Sequence, residues 1–331
     1  MKRNPIKLLL VISSVVLSIF LLLTHDFASA ADQQESRIEA VTVAYSSPGI
    51  STLPISIGQE KGFFSAERLH VQMVMMQTFV AGRAVVANEV DYNTLVGNMV
   101  TLAAGGAPVK VVFVMIDKPL FVFVSRPEIK QVSNLKGKKI AVSTRGSIDD
   151  YFLRSVIAAA GLNPDKDITS LSMGGTGNRL NALQAGAVDA TSLQVPFNLP
   201  IERQGYHRIA VAADFMHAVT NGLGVSDKKL KTQPDQIKRM IRAMLKVQDY
   251  IRFHREESVQ RAMSLYKFDR QGADLAYDML IQSMPSEMPS EKGFETVINL
   301  TREQLNLRGD VPISKVAGLS LLKEVFGEIR R

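Results

Sequence analysis

The chain has 331 residues, with 39 lysines and arginines against 32 aspartates and glutamates, and a formal net charge of +7. It contains no cysteine, which excludes disulfide bonds and a lipid-modified cysteine, so the core alone must stabilise the fold. The basic clusters lack the interleaved aromatic residues of a nucleic-acid surface, and we expect no nucleic-acid partner.

The first thirty residues predict a cleaved secretory signal peptide. Lys2, Arg3 and Lys7 form a basic start, an uncharged run follows over 8–23, and Ala28-Ser29-Ala30 is a small-x-small cleavage site. The alternative is a retained membrane anchor, but this run falls short of the roughly 20 residues that span a bilayer. We therefore expect cleavage after Ala30 and a periplasmic protein with one large or two moderate domains.

Residues 40–46, AVTVAYS, alternate and are rich in β-branched residues, which predicts a buried strand. A polar loop, Ser46-Ser47-Pro48-Gly49, follows, and then a helix that we expect to end near Gly62, because glycine readily adopts the left-handed cap conformation. A second strand is predicted over 69–76. The phrase AVVANEVDYNTL at 84–95 predicts a helix, a turn and a third strand.

The same order of elements recurs about 98 positions later. Asp91 and Asp189 hold matching places in the two Val-Asp phrases. Chance similarity within an α/β protein is the alternative, but several features match at offsets of 98 to 99. The second set consists of a strand over 139–145, the loop Thr144-Arg145-Gly146-Ser147, a helix ending near Gly161, a strand over 168–173 and ALQAGAVDATSL at 182–193.

Repeated strand–helix units predict two mainly parallel sheets covered by helices, and therefore two lobes with a cleft between them. In such sheets, ligands lie beyond the carboxyl ends of the strands. The loops at these ends are Ser46, 94–98, 144–147, 174–176 and 194–197.

The chain changes character after the second copy. Residues 215–226 resemble a further strand, and the pattern from Gln233 onward is mostly helical, with Pro234 suited to a first helical turn. We expect segments 118–126 and 215–226 to cross between the lobes as a pair. The C-terminal helices are expected to pack on the first lobe.

Five short segments carry a resemblance to a known family: IGQEKGFF at 57–64, followed along the chain by NEVDYNTLVGN, GGAPVKVV, LKGKKIAVS and LQAGAVDA. In this order and spacing the chain resembles the nitrate-, taurine- and alkanesulfonate-binding proteins of ABC importers, to which the thiamine-precursor binding proteins are close relatives. The resemblance extends from about Val41 to the C-terminal helices. It implies the α/β type II periplasmic binding protein fold, with lobe 1 formed by 31–121 and 222–331 and lobe 2 by 122–221.

The resemblance also implies binding without chemistry. Such a protein captures a small solute between its lobes, closes, and delivers it to a membrane permease driven by an ATPase. We expect a monomer without catalytic residues, metal or cofactor. A small organic anion of the sulfonate or carboxylate type is the preferred solute. The alternatives are a thiamine-related pyrimidine, and a binding module that serves a sensor instead of a transporter.

The predicted ligand contacts lie in these strand-end loops, several of which precede helix amino termini that attract anions. Arg145 could pair bidentately with a sulfonate or carboxylate. Ser147 and Asp150 also fit a capping box, in which that helix start is satisfied by its own side chains. The alternatives are a plain surface position for Arg145, a core position for Phe197 and a purely conformational role for the glycines. The predicted contacts are Ser46, Ser47, Gly97, Asn98, Thr144, Arg145, Ser147, Gly175, Thr176, Gln194, Phe197 and Asn221.

An enzyme is the main rival. GTGNRL at 175–180 resembles a dinucleotide loop, but Leu180 replaces the third glycine and Asp189 comes too early for a ribose contact. The histidines after the signal peptide are isolated, which gives no metal-binding pattern. Two enzymes of similar architecture, the fungal pyrimidine synthase of thiamine synthesis and the porphyrin-chain synthase, rely on cysteine, which this chain lacks.

Overall fold

A computed structural model describes residues 38–46 and 48–329, so the predicted signal peptide and Ser47 lie outside the described residues. The described strands form two five-stranded sheets. They are β1 (Glu39–Tyr45), β2 (Leu69–Met75), β3 (Tyr92–Leu95), β4 (Val109–Ile116), β5 (Phe121–Ser125), β6 (Lys138–Val142), β7 (Ile168–Ser172), β8 (Ala190–Gln194), β9 (His207–Val211) and β10 (Asn221–Ser226).

The two sheets have the same arrangement. The first has the order β2-β1-β3-β10-β4 and the second has the order β7-β6-β8-β5-β9. β1 runs parallel to β2 and β3, and β6 runs parallel to β7 and β8. The fourth strand of each sheet, β10 or β5, is antiparallel to both neighbours. Four of the five strands in each sheet therefore run in the same direction, and the predicted α/β fold with two sheets is confirmed.

Helices cover the sheets and form the C-terminal part of the chain. Gly62 and Gly161, just beyond α1 and α5, have φ of 74° and 79°, so both predicted left-handed turns are confirmed. The helices are α1 (Leu53–Glu60), α2 (Phe63–Ala66), α3 (Thr78–Ala87), α4 (Val96–Ala104), α5 (Ile148–Ala159), α6 (Thr176–Gln184), α7 (Leu199–Glu202), α8 (Ala212–Phe215), α9 (Asp227–Thr232), α10 (Pro234–Phe253), α11 (Arg255–Tyr266), α12 (Arg270–Ser283), α13 (Glu291–Leu305), α14 (Ile313–Val316) and α15 (Ser320–Ile329).

We call the first sheet and the helices packed on it the first lobe, and the second sheet with its helices the second lobe. Of the C-terminal helices, α10 packs on α1 and α2, and α13 packs on α4. α13 also contacts α5 of the second lobe. In the described parts of the chain, no helix has the length and apolarity needed to cross a membrane.

The repeated Val-Asp phrase has a structural explanation. Asp91 Oδ2 accepts a hydrogen bond of 2.8 Å from the backbone N–H of Thr42, and Asp189 Oδ2 accepts one of 2.8 Å from the backbone N–H of Lys139. Asp91 thus fixes the start of β3 to β1, and Asp189 fixes the start of β8 to β6. Asp91 also pairs with the buried Lys229, whose Nζ lies 2.8 Å from Asp91 Oδ1.

Two chain segments cross between the lobes and pair with each other. The Ala218 N–H donates to the Asp117 carbonyl, and the Thr220 N–H donates to the Ile116 carbonyl, both at 2.9 Å. The predicted strand over 215–226 is too long, because residues 212–215 form α8 and the strand begins only at Asn221. The extended residues between them form the crossing itself.

Candidate functional site

A cavity of about 770 Å³ lies between the lobes, at the carboxyl ends of the strands, as the sheet argument predicts. Most of its lining side chains are uncharged and polar. The predicted contacts that line it are Ser46, Gly97, Asn98, Thr144, Ser147, Gly175, Thr176, Gln194 and Asn221. Polar lining residues that sequence reasoning missed are Ser51, Gln77, Thr78, Thr101, Ser143, Asp149, Arg179, Thr220, Thr301 and Gln304.

Three predicted contacts are not part of this lining. Ser47 lies outside the described residues. The Arg145 side chain is 70% exposed and points to Asp165, with Arg145 Nη2 3.0 Å from Asp165 Oδ1. The ion pair with Asp165, in the loop after α5, keeps the Arg145 guanidinium at the surface and away from the cavity. Phe197 lines a separate cleft on the far side of its loop.

Two helices begin at the cavity in matching places of the two lobes. α3 starts at Thr78 in the first lobe and α6 starts at Thr176 in the second, 98 positions later. Their cap residues, Gln77 and Gly175, make no side-chain hydrogen bond to the helix among the described contacts. The first N–H groups of both helices therefore remain available, and both threonines line the cavity. The 98-residue offset of the repeat is a sequence signal that would have identified Thr78.

The start of α5 differs, because its own side chains satisfy it. Ser147 Oγ accepts the Asp150 N–H at 3.4 Å, and Asp150 Oδ2 accepts the Gly146 N–H at 2.7 Å. The predicted serine cap is confirmed, although Asp150 reaches back to Gly146 instead of Ser147. Burial is the main reason that the pKa of Asp150 lies above its usual range.

A buried ion pair lies beneath the second-lobe loops. Arg179 and Asp149 have side chains that are 2% and 3% exposed, and Arg179 Nη2 lies 3.8 Å from Asp149 Oδ2. Asp149 Oδ2 also accepts the Ser143 N–H at 2.9 Å and the Ser192 hydroxyl at 2.7 Å. Burial alone would raise the pKa of Asp149, but the charge of Arg179 and three serine hydroxyls hold the pKa below its usual range.

Arg179 connects two loops to the sheet. Its Nε donates to the Ser192 carbonyl at 3.1 Å, and its Nη1 donates to the Gly174 carbonyl. The loop before α6 is thus fixed to β8, and Asp149 fixes the loop before α5 to the same strand. Each guanidinium nitrogen of Arg179 has a partner inside the protein, so the pair positions the cavity wall.

One wall of the cavity comes from α13. Thr301 Oγ1 lies 3.0 Å from Thr101 Oγ1 of the first lobe. Gln304 packs beside Gly146 of the second lobe, where φ is +82° and an added Cβ would lie 2.9 Å from Gln304 Nε2. Gly146 is therefore favoured by the backbone conformation, and a larger residue there would also displace the Gln304 amide.

A metal centre has no support in this cavity. Among residues 38–46 and 48–329, no cluster of three or more histidine, cysteine, aspartate or glutamate side chains could hold a metal ion. Asp149 is the carboxylate of the lining, and its oxygens already accept internal hydrogen bonds. What the cavity offers a ligand is hydroxyl groups, amides and free helix N–H groups.

Comparison with known proteins gives a family match and two kinds of relative. A family model described as NMT1/THI5 like matches residues 50–258. Riboflavin-binding protein RibY from Chloroflexus aurantiacus is 27% identical over 233 residues, which is 66% of this chain and 64% of RibY. The chain thus matches just under two thirds of the length of that relative.

Solved structures show the same fold at low identity. The periplasmic sulfonate-binding protein SsuA from Methylobacillus flagellatus KT superposes with a TM-score of 0.72 at 15% identity, covering 88% of this chain and 95% of SsuA. The desulfurization enzyme DSZB gives a TM-score of 0.67 at 13% identity, covering 88% of this chain and 100% of DSZB. These likenesses confirm the predicted periplasmic binding protein fold.

Proposed function

The chain belongs to the NMT1/THI5-like family, and from that premise we propose that it is the periplasmic solute-binding component of an ABC importer. The protein captures a small solute between its lobes and delivers it to a membrane permease driven by an ATPase. We propose that the chain passes between the lobes near the boundaries expected from the sequence, residues 121 and 221. The segments 117–120 and 216–220 act as the hinge.

The observation that carries this proposal is the pair of uncapped helix starts at Thr78 and Thr176. They come from different lobes and line the same cavity. A solute that binds both touches both lobes at once, so it favours the closed arrangement over the open one. This is what capture by a two-lobed binding protein requires.

The same helix starts favour an oxyanion as the solute. Free N–H groups and the positive end of the helix dipole attract sulfonate or carboxylate oxygens, and the two threonine hydroxyls can donate beside them. Arg179 is the cation of the described lining, and it is already engaged with Asp149. We therefore propose that an organic anion is held mainly by uncharged donors.

A flat, neutral nitrogen heterocycle such as a pyrimidine is the second candidate. The carboxamides of Asn98, Gln194 and Asn221 line the cavity and can each donate and accept. Asn98 Oδ1 is buried beside Gly82 without a hydrogen-bond partner in the described structure, so the Asn98 side chain would have to turn for this oxygen to accept from a ring N–H. RibY is named for an aromatic nitrogen heterocycle, which supports this alternative.

We propose binding without turnover, although DSZB shows that the fold also supports an enzyme. The described cavity lining contains no cysteine or histidine that could act as a nucleophile or general base. Asp149 cannot serve easily as a base, because its paired state keeps its pKa low. The lining thus suits recognition better than catalysis.

A thermal-shift panel of alkanesulfonates, aromatic carboxylates, nitrate and pyrimidines tests the proposal. A true ligand raises the melting temperature of the mature protein in a concentration-dependent way and is recovered unchanged. With that ligand, Thr78→Val and Thr176→Val should each weaken affinity by about three- to tenfold, since each removes a hydrogen bond. Thr232→Val, at an exposed position outside the cavity, is the matched control.

Three results would count against the proposal. The first is a panel in which no compound shifts the melting temperature. The second is conversion of the ligand to a product. The third is a ligand whose affinity depends on only one of the two threonines, because it would then bind a single lobe.

A further inference from the structure

A second cavity, of about 650 Å³, lies between the lobes. Part of its lining comes from the two loops that also reach the first cavity, and the rest comes from 199–203 and 265–272. Ser46 and Gln194 line the first cavity, whereas Pro48 and Pro196, two residues further along each loop, line the second. Since consecutive Cα atoms are 3.8 Å apart, lining residues of the two cavities lie within about 7.6 Å of each other along both loops.

The chemistry of the second cavity is different. Its lining is mainly apolar and aromatic, where the first is rich in hydroxyl and amide groups. Phe197 and Leu265 remain 39% and 41% exposed, which is unusual for large apolar side chains that face a shared concave surface. Tyr266 and Phe268 lie beside them, with ring centroids 5.4 Å apart.

Hydrogen bonds and one ion pair fix the residues around the second cavity. Asp269 accepts the Gly272 N–H at 2.8 Å and so caps α12 at its edge. Arg203 of the second lobe pairs with Asp269 of the first, with Arg203 Nη2 2.7 Å from Asp269 Oδ2. The Tyr266 hydroxyl lies 2.9 Å from Thr52 Oγ1, and burial raises the pKa of Tyr266 to about 12, so the ring stays neutral.

We propose that the solute is amphipathic and that this second cavity binds its apolar body. This inference rests on the proposed function and narrows the solute class. The polar head, an anionic group, is held by the helix starts in the first cavity. A flat aromatic or compact hydrocarbon body extends past the two loops and packs on Phe197, Leu265 and Tyr266. Burying apolar surface of both ligand and protein supplies the affinity that the uncharged donors lack.

Calorimetric titration of two sulfonates that share a head group tests this. Methanesulfonate carries only the head, and 2-naphthalenesulfonate adds an aromatic body. We expect the naphthyl compound to bind at least about tenfold more tightly, in line with the burial of several ring carbons. Phe197→Ala should remove about tenfold of that advantage and leave methanesulfonate binding unchanged.

Two further variants make the result specific. Phe253→Ala removes an aromatic ring that is 79% exposed and lies outside both cavities, so both affinities should be unchanged. Phe197→Leu keeps an apolar side chain and should retain part of the advantage, which guards against a folding defect in the alanine variant. Melting curves of all variants without ligand provide the check on folding.

The possible outcomes separate this inference from the proposed function. Equal binding of the two sulfonates, or an equal loss for both in Phe197→Ala, overturns the second site and leaves solute binding intact. If neither sulfonate binds, the anion proposal fails. Titration with neutral 2-naphthol then tests whether the second cavity binds an apolar body by itself. Binding of 2-naphthol that depends on Phe197 supports the apolar site alone, and its absence rejects that site as well.

Discussion

The two lobes share one arrangement of strands but support their cavity-facing loops differently. In the second lobe, the buried pair of Asp149 and Arg179 fixes two loops to β8. In the first lobe, Ala81 occupies the position 98 residues before Arg179, and the helical turn Ile50–Thr52 at the matching loop has no acidic residue. The two lobes therefore keep the same backbone path with different polar chemistry. We infer that the second lobe presents a preformed half-site.

The largest expected effect comes from breaking this ion pair. Arg179→Met leaves the Asp149 carboxylate buried without its charged partner, and we expect a loss of about 3–5 kcal/mol in the free energy of unfolding. Urea denaturation measures it. Arg154→Met is the control, since Arg154 pairs with Asp165 at the surface of the same lobe and should contribute much less.

A double variant sharpens the same test. Asp149→Asn combined with Arg179→Met removes both charges, so it should recover a substantial part of the stability lost in the single variant. Equal destabilisation by Arg179→Met and Arg154→Met would show that the pair does not support the second lobe.

The next effect compares the two strand-fixing aspartates. Asp91→Asn removes the charged partner of the buried Lys229, and we expect the free energy of unfolding to fall by about 1–3 kcal/mol. Asp189→Asn keeps an oxygen that can accept the Lys139 N–H, so the free energy of unfolding should fall by only about 0.5–1 kcal/mol. Chemical denaturation of both variants gives the difference, and a larger loss at Asp189 would contradict this reading of the repeat.

The pH dependence of stability should also change when Asp91 is replaced. Burial works to raise the pKa of Asp91, but the bonds from Lys229 and Thr42 hold the pKa below its usual range. A depressed folded-state pKa contributes stability above the unfolded value of about 3.9, and this is lost as pH falls through the folded pKa. Urea denaturation at pH 5 and at pH 3 should show that the free energy of unfolding falls less with pH in Asp91→Asn than in the unmodified protein. Parallel curves would refute the role of Asp91.

The smallest effect concerns Arg145. Because its side chain is exposed and paired with Asp165, Arg145→Ala should change solute affinity by less than about twofold and leave the melting temperature nearly unchanged. A large loss of affinity would mean that Arg145 turns into the cavity when the solute binds.

Sequence reasoning located the fold and the cavity loops well. Hydrophobic alternation and turn glycines are local signals, so they predicted β1, β2, β6 and the turns at Gly62 and Gly161. The order of these elements then fixed the edge of each sheet where the loops meet. Which of the predicted loop residues contact a solute stays a prediction, although most of them line the cavity.

Side-chain direction was the part that sequence could not predict. Arg145 lies in the expected loop, but the position of Asp165, twenty residues away, decides where its guanidinium points. Arg179 lies in GTGNRL, the segment that resembles a dinucleotide loop, and nothing local marks Asp149 as its partner thirty residues earlier. Such pairs depend on packing between separate elements, and a single sequence does not encode them as a local pattern.

The double crossing between the lobes also determines in which order the two sheets can be completed. All strands of the second sheet come from one continuous stretch, residues 121–211, whereas β10 enters the first sheet between β3 and β4 only after that stretch. A chain that emerges amino terminus first must therefore leave β3 and β4 with open edges until residue 226 is available. The lobe that begins first in the sequence is the one that finishes folding last.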